Sequence, residues 1–159
     1  MNITDPKEKI TLEDLIALMA SLRSEKGCPW DKKQTKASLK PFIIEESYEV
    51  VEAVDEHDPQ KIREELGDLL FQIVFYAQLM TEEDGITLYD IMETVHTKMI
   101  RRHPHVFGEA RVENAAEVLV NWEQIKQAEK KAEGSSLLAG VPKNLPSLLR
   151  AHRIQSKVS

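Results

Sequence analysis

Apolar residues recur at helical spacing along most of the chain. Leu12, Leu15, Ile16, Met19 and Leu22 stand three or four apart, which puts them on one helix face, and Gly27 ends the run. Thr11 and Asp14 ahead of that stripe resemble a capping pair, with Asp in the place Glu or Gln fills best. Residues 1–10 read as a leader, and Cys28-Pro29-Trp30-Asp31 through Thr35 as an ordered loop. A second helix is predicted over about 38–57, with Pro41 tolerated in its first turn. Asp58-Pro59 turns the chain into a third, about 59–83, which Asp84-Gly85 ends. Thr87 with Asp90 opens a fourth, about 88–102, stopped by His103-Pro104 because the residue before proline is held out of the helical region. Asn114 and Glu117 form a capping box for a fifth, about 115–133, which Gly134-Ser135-Ser136 breaks. Beyond Pro142 and Pro146 comes a short basic helical stretch, 148–157. With no convincing alternating strand, the pattern predicts an all-α helical bundle of about five helices, a domain over 11–133 and a tail or linker over 134–159.

Composition narrows the function classes. The 159 residues suit one domain and can bury a core without disulfide staples. Cys28 is the single cysteine, which fits a reducing compartment. No stretch approaches the roughly 20 apolar residues of a membrane span, and the opening MNITDPKEKITLEDL has no apolar signal core. The expectation is a cytoplasmic protein with no membrane partner. Lys and Arg number 21 against 27 Asp and Glu, a net charge of −6, which argues against a nucleic-acid polymer as partner while leaving room for a local cationic pocket.

Two acidic pairs interrupt the apolar pattern. Glu46 and Glu49 are three apart on the second helix and share a face with Phe42, Ile43, Val50 and Ala53. Glu65 and Asp68 on the third have Ile62, Leu69, Gln72 and Tyr76 as neighbours. The short Asp58-Pro59 turn makes the two helices antiparallel neighbours, with each pair about ten residues from the turn. Carboxylates facing one another in a partly dry interior must protonate, pair or bind cations. Oxygen-only ligands select hard cations, Mg²⁺ or Mn²⁺. A di-iron bundle would need Glu-x-x-His on two helices, and the third position here is Glu49 or Asp68. Among 27 acidic residues an isolated pair reads as a solvated face; two pairs on apolar-flanked faces of adjacent helices read as a shared site. Glu45 and Glu64 lie to one side, as supports of that site or as surface charges.

Five ordered motifs carry a resemblance: CPWDKKQT (28–35), EESYE (45–49), EELGDLLFQIVFYAQ (64–78), KMIRRHPHVFG (98–108) and NWEQIK (121–126). Over about residues 10–155 the chain resembles the MazG nucleoside triphosphate pyrophosphohydrolases, of the all-α NTP pyrophosphohydrolase superfamily. The family motif EExxE followed by ExxD falls on Glu45, Glu46, Glu49, Glu65 and Asp68. The resemblance implies Mg²⁺-dependent hydrolysis of an NTP or dNTP to the monophosphate and pyrophosphate, with Mn²⁺ as a substitute, in a homodimer. It implies Glu46, Glu49, Glu65 and Asp68 as metal ligands; the expectation for the group that orients the attacking water is Glu45 or Glu49. Lys98 and Arg102 match phosphate-holding residues, Trp122 and Lys126 match residues near base and phosphates, and Lys61 matches a further substrate contact.

Elementary chemistry suits these assignments and leaves alternatives. Lys98 and Arg102, four apart, project together as a cationic patch, and equally suit the negative end of a helix. Trp122 and Lys126 share a face, giving a stacking platform with a cation one turn away; Trp122 also fits a core position beside Val118, Leu119 and Ile125. Longer family members carry a second, related module, and SLLRAHRIQSKVS resembles the linker into it. The competing reading is therefore a catalytically weak nucleotide-binding or interaction module, and a purely structural bundle is the third.

Overall fold

A computed structural model describes residues 9–132 and 140–158. Those residues form eight helices and no strand: α1 (Leu12–Arg23), α2 (Pro29–Lys33), α3 (Lys40–Asp55), α4 (Pro59–Asp84), α5 (Leu88–Arg102), α6 (Pro104–Phe107), α7 (Ala115–Ala132) and α8 (Ser147–Val158). The all-α expectation holds. The count of about five is corrected by two short helices, α2 and α6, in segments expected to be loop, and by a regular α8. The physical reason is the double action of proline. Pro29 and Pro104 exclude the preceding residue from a helix, yet each sits at the first helical position, where a fixed φ starts a new one. The expected leader lies mostly outside the described residues, and the Gly134-Ser135-Ser136 break lies wholly outside them.

The caps behave as their chemistry requires. Thr11 and Asp14 form the reciprocal capping box of α1: the Thr11 N–H donates to Asp14 Oδ2 at 2.8 Å, and the Asp14 N–H to Thr11 Oγ1 at 3.3 Å. Asp58 caps α4 by accepting from the N–H groups of Gln60 at 2.9 Å and Lys61 at 3.2 Å. Gly85 ends α4 in the left-handed region at φ 70°, where Ile86 N–H reaches Met80 O at 3.2 Å. His57 takes the same conformation after α3, at φ 56°, without glycine's freedom. At Gly27 the constraint is space: a Cβ there would stand 2.1 Å from Leu22 O.

The described structure divides into two compact units within α5, at Thr94/Val95. In the first, α4 is the spine. Its second half buries Val74, Phe75, Ala77 and Leu79 against Met19 of α1, Leu39 ahead of α3 and Leu88 of α5. Complete burial of side chains such as Phe75 and Leu79 contributes roughly 1.5–3 kcal/mol each. Arg23, its side chain 8% exposed, binds α1 to this spine. It grips Glu82 through Nε at 2.9 Å and Nη2 at 2.6 Å, donates through Nη1 to the Asp31 carbonyl of α2, and lies 5.5 Å from the Phe75 ring centre.

In the second unit, Glu129 of α7 receives Arg101 at 2.7 Å and Arg102 at 2.5 Å, both from the last turn of α5. The Arg102 guanidinium lies 5.5 Å from the Trp122 ring centre, and His103 meets the same ring edge-on at 4.8 Å. Among the described residues no helix is long and apolar enough to cross a membrane.

Candidate metal centre

The first half of α4 faces α3. Three contacts give their relative direction. Tyr76 donates through its hydroxyl to Lys36 O at 3.0 Å, just ahead of α3. Gln72 donates through Nε2 to Glu46 Oε1 at 3.3 Å. Glu65 then gathers with Glu49 and Glu46, the three offering carboxylate oxygens that all lie within 4.8 Å of one another. Across these contacts residue numbers rise along one helix as they fall along the other.

The cluster follows from the sequence period. Glu46, Glu49 and Ala53 share one face of α3, and Ala53 is fully buried against its surroundings. Glu65 and Gln72, seven apart, share the opposing face of α4, where Gln72 is 8% exposed. The three carboxylates are half-buried. Desolvation pushes the Glu46 carboxyl above its ordinary range, the charges of Asp68 and Glu49 add to this, and the Gln72 amide opposes it. Desolvation likewise raises Glu65, with the charges of Glu49, Glu64 and Asp68 adding and Lys61 opposing.

The structure thus brings together three of the four expected ligands. Asp68 is exposed and stands outside the three-membered group, close enough for its charge to act on both Glu46 and Glu65. Glu45 is exposed on α3 and is not one of the three. Lys61, one turn before Glu65, is tied to Glu56 at 2.9 Å and approaches Glu52 at 3.8 Å.

The other expected substrate residues belong to the second unit. Lys98 is half-buried on α5. Arg102 is engaged by Glu129, and it occupies the last helical turn that suits a cation. Trp122 is half-buried between Arg102 and His103, which is both packing and an aromatic surface bearing a cation. Lys126 pairs with Glu123, three residues earlier, at 2.6 Å.

Sequence reasoning placed Gln72 on the acidic face but gave it no role. Its carbonyl oxygen is buried without a hydrogen-bond partner. The signal lay in the sequence: an amide four residues after Asp68, between apolar Leu69 and Tyr76 on the buried side of the helix. These donors test well against a hard divalent cation. All are oxygens, three converge, two of them are held at raised pKa, and a buried amide oxygen beside them lacks a partner.

Comparison with known proteins agrees with this architecture. The model of the MazG nucleotide pyrophosphohydrolase domain matches residues 34–107, a span that holds all four acidic positions. The crystal structure of a mazG-related protein from Thermotoga maritima superposes with a TM-score of 0.61 at 30% identity, covering 73% of this chain and 99% of that one. This chain belongs to the MazG family. The nucleoside triphosphate pyrophosphohydrolase of Escherichia coli (strain K12) is 47% identical over 148 residues, which is 92% of this chain and 56% of that protein. A Thermotoga maritima protein named nucleoside triphosphate pyrophosphohydrolase/pyrophosphatase MazG is 45% identical over 150 residues, 94% of this chain and 57% of its own length. The chain therefore spans just over half the length of these two relatives.

Proposed function

We propose that this chain hydrolyses nucleoside triphosphates, ribo or deoxy, to the monophosphate and pyrophosphate, with Mg²⁺ held by Glu46, Glu49, Glu65 and Asp68 and Mn²⁺ as a substitute. The observation that carries the proposal is the convergence of Glu46, Glu49 and Glu65 within 4.8 Å on two facing helices, with the Asp68 charge beside them. The names of the Escherichia coli and Thermotoga maritima relatives support the reaction class. When bound, the ion would supply Lewis-acid stabilisation of negative charge on the phosphate oxygens.

The chain's own residues account for the rest. A water oxygen forms a bond to one phosphorus of the α–β phosphoanhydride as the bond from that phosphorus to the bridging oxygen breaks, and the other fragment departs with the bonding electrons on that oxygen, giving monophosphate and pyrophosphate. Glu49, within the cluster, or exposed Glu45 beside it on α3 orients that water and accepts its proton. Lys61, Lys98, Arg102 and Lys126 are the cations proposed for the phosphates, and Trp122 the face proposed for the base. For Arg102 and Lys126 this role means exchanging Glu129 and Glu123 for phosphate.

The assembly proposed is a homodimer. Ile44, Tyr48 and Val51 on α3, and Leu66, Leu70 and Ile73 on α4, form two stripes at i, i+4, i+7 that are 39–61% exposed in the single chain. Exposed apolar stripes on both helices of the pair suit burial against a second copy of that pair. Elution of the chain as a monomer in gel filtration would overturn this part.

Product analysis tests the reaction. With Mg²⁺, pyrophosphate and monophosphate should appear in equal amounts, and Glu46→Gln or Asp68→Asn should lower the rate at least 100-fold. Release of orthophosphate as the first product refutes the assignment. Metal-dependent nucleotide binding in calorimetry without turnover would make the chain a binding module instead.

A further inference from the structure

Gln72 is a polar side chain where the core pattern calls for an apolar one. It sits on α4 one turn after Asp68 and two residues before buried Val74 and Phe75, and it is 8% exposed. Its Nε2 donates to Glu46 Oε1 at 3.3 Å, while its Oε1 is buried without a partner. The reverse placement of the amide would set two oxygens against each other, so the nitrogen faces Glu46. An unpaired buried acceptor destabilises a fold, and a thioether or aliphatic chain of similar size would remove it. Packing alone therefore does not favour glutamine at this position.

We infer that Gln72 is a positioning residue of the carboxylate centre. Its amide fixes the Glu46 carboxylate in the orientation that lets it share a divalent cation with Glu49 and Glu65. Its unpaired carbonyl oxygen is a ready acceptor for a water of the hydrated ion, since Mg²⁺ and Mn²⁺ keep part of their water shell in such sites. Partners that orient a ligand in this way typically alter metal affinity by 10–100-fold when removed. The inference rests on the proposed cation site and adds a residue that the acidic motif does not contain.

The test is Mn²⁺ titration of the full chain followed by electron paramagnetic resonance, which reads free ion without reference to turnover. Gln72→Met keeps length and volume but cannot donate. It should weaken Mn²⁺ binding about 10-fold or more while leaving the metal-free melting temperature unchanged or higher. Gln72→Asn keeps the amide but is one methylene short of Glu46, and should show the same loss; it serves if the Met variant does not fold. In a Glu46→Gln background, Gln72→Met should cause a smaller weakening than in the unsubstituted chain, because the amide's share of its effect runs through Glu46. Unchanged Mn²⁺ affinity in both Gln72 variants overturns the inference, as does equal weakening with and without Glu46. If Glu46→Gln alone leaves Mn²⁺ binding intact, the cation site itself is refuted and the inference falls with it, a result distinct from failure of Gln72 alone.

Discussion

Replacing Glu46 by Gln should reverse its effect on stability according to whether Mg²⁺ is present. Without metal, Glu46 is a half-buried carboxylate whose pKa is raised by desolvation and by the charges of Asp68 and Glu49. Two unit charges at 4.8 Å repel by about 3 kcal/mol at an effective dielectric near 20. Screening at a site open to solvent reduces the net penalty to about 1 kcal/mol. The isosteric amide removes that charge, so Glu46→Gln should raise the metal-free melting temperature by about 2–4 °C for a chain of this size. With Mg²⁺ at 100 times its Kd, the unsubstituted chain gains about 2.7 kcal/mol by mass action. A variant whose affinity is about 100-fold weaker gains only about 0.4 kcal/mol at that concentration, which leaves it about 1 kcal/mol less stable than the original. The two melting curves, recorded by circular dichroism in EDTA and in Mg²⁺, should therefore exchange order. A variant less stable in both conditions would show that Glu46 serves packing. A variant more stable in both would show that no ion is held there.

The pH dependence should have two opposing arms. Glu46 and Glu65 titrate above the ordinary value of 4.5, so the folded chain binds these protons more readily than the unfolded one. Their contribution to metal-free stability should grow as pH falls from neutral through the raised values, and Glu46→Gln should shrink it in denaturant titrations run across pH. Glu82, lowered by the Arg23 hydrogen bonds, and Glu129, lowered by those of Arg102, act oppositely: their stabilisation is lost as pH falls below 4.5 through their depressed values. Arg23→Met should cost about 2 kcal/mol, because Glu82 and the Asp31 carbonyl lose the guanidinium and keep only the Gln78 amide and the Gln34 N–H, as urea unfolding would report. Gly27→Ala should destabilise by about 2–4 kcal/mol, since the new methyl would have to displace backbone at 2.1 Å; a melting temperature within 1 °C of the original (about one degree being the scatter of the method) would contradict this. His57→Gly should stabilise by up to about 1 kcal/mol through relief of its positive φ, less whatever the imidazole contact with Val54 O at 3.0 Å contributes.

What the sequence revealed and what it hid separate along a physical line. Helical spacing located α1, α3, α4, α5 and α7 because each has an apolar face with a capping or breaking signal at an end. It passed over α2 and α6 because helices of five and four residues have no room for a repeating pattern. The carboxylate cluster was legible for the same reason as the core: three-residue spacing fixes a face whether the side chain is apolar or acidic. The membership of the cluster was less legible. Asp68 and Glu65 share a sequence pair, yet the helix turn separates a half-buried carboxylate from an exposed one. Gln72 had the right face but no charge to draw notice. The engagement of Arg102 by Glu129 joins residues 27 apart, and no local period encodes such a partner.

The position of the acidic cluster on α3 and α4 explains how the fold holds it. Repulsion among Glu46, Glu49 and Glu65 opposes the approach of α3 to α4, so another part of the same pair must hold them together. That part is the second half of α4, whose Val74, Phe75, Ala77 and Leu79 are 1–3% exposed. Because a helix of 26 residues is continuous, burial at one end fixes the direction of the other. The Asp58 cap and Pro59 fix the near end of the pair. The carboxylates thus lie between two anchored regions and cannot relax by splaying apart without disturbing one of them. A flexible loop carrying the same three acids would open to water and let them move apart. On this helix pair the repulsion is retained in the folded state, and the proposed binding of a divalent ion would relieve it.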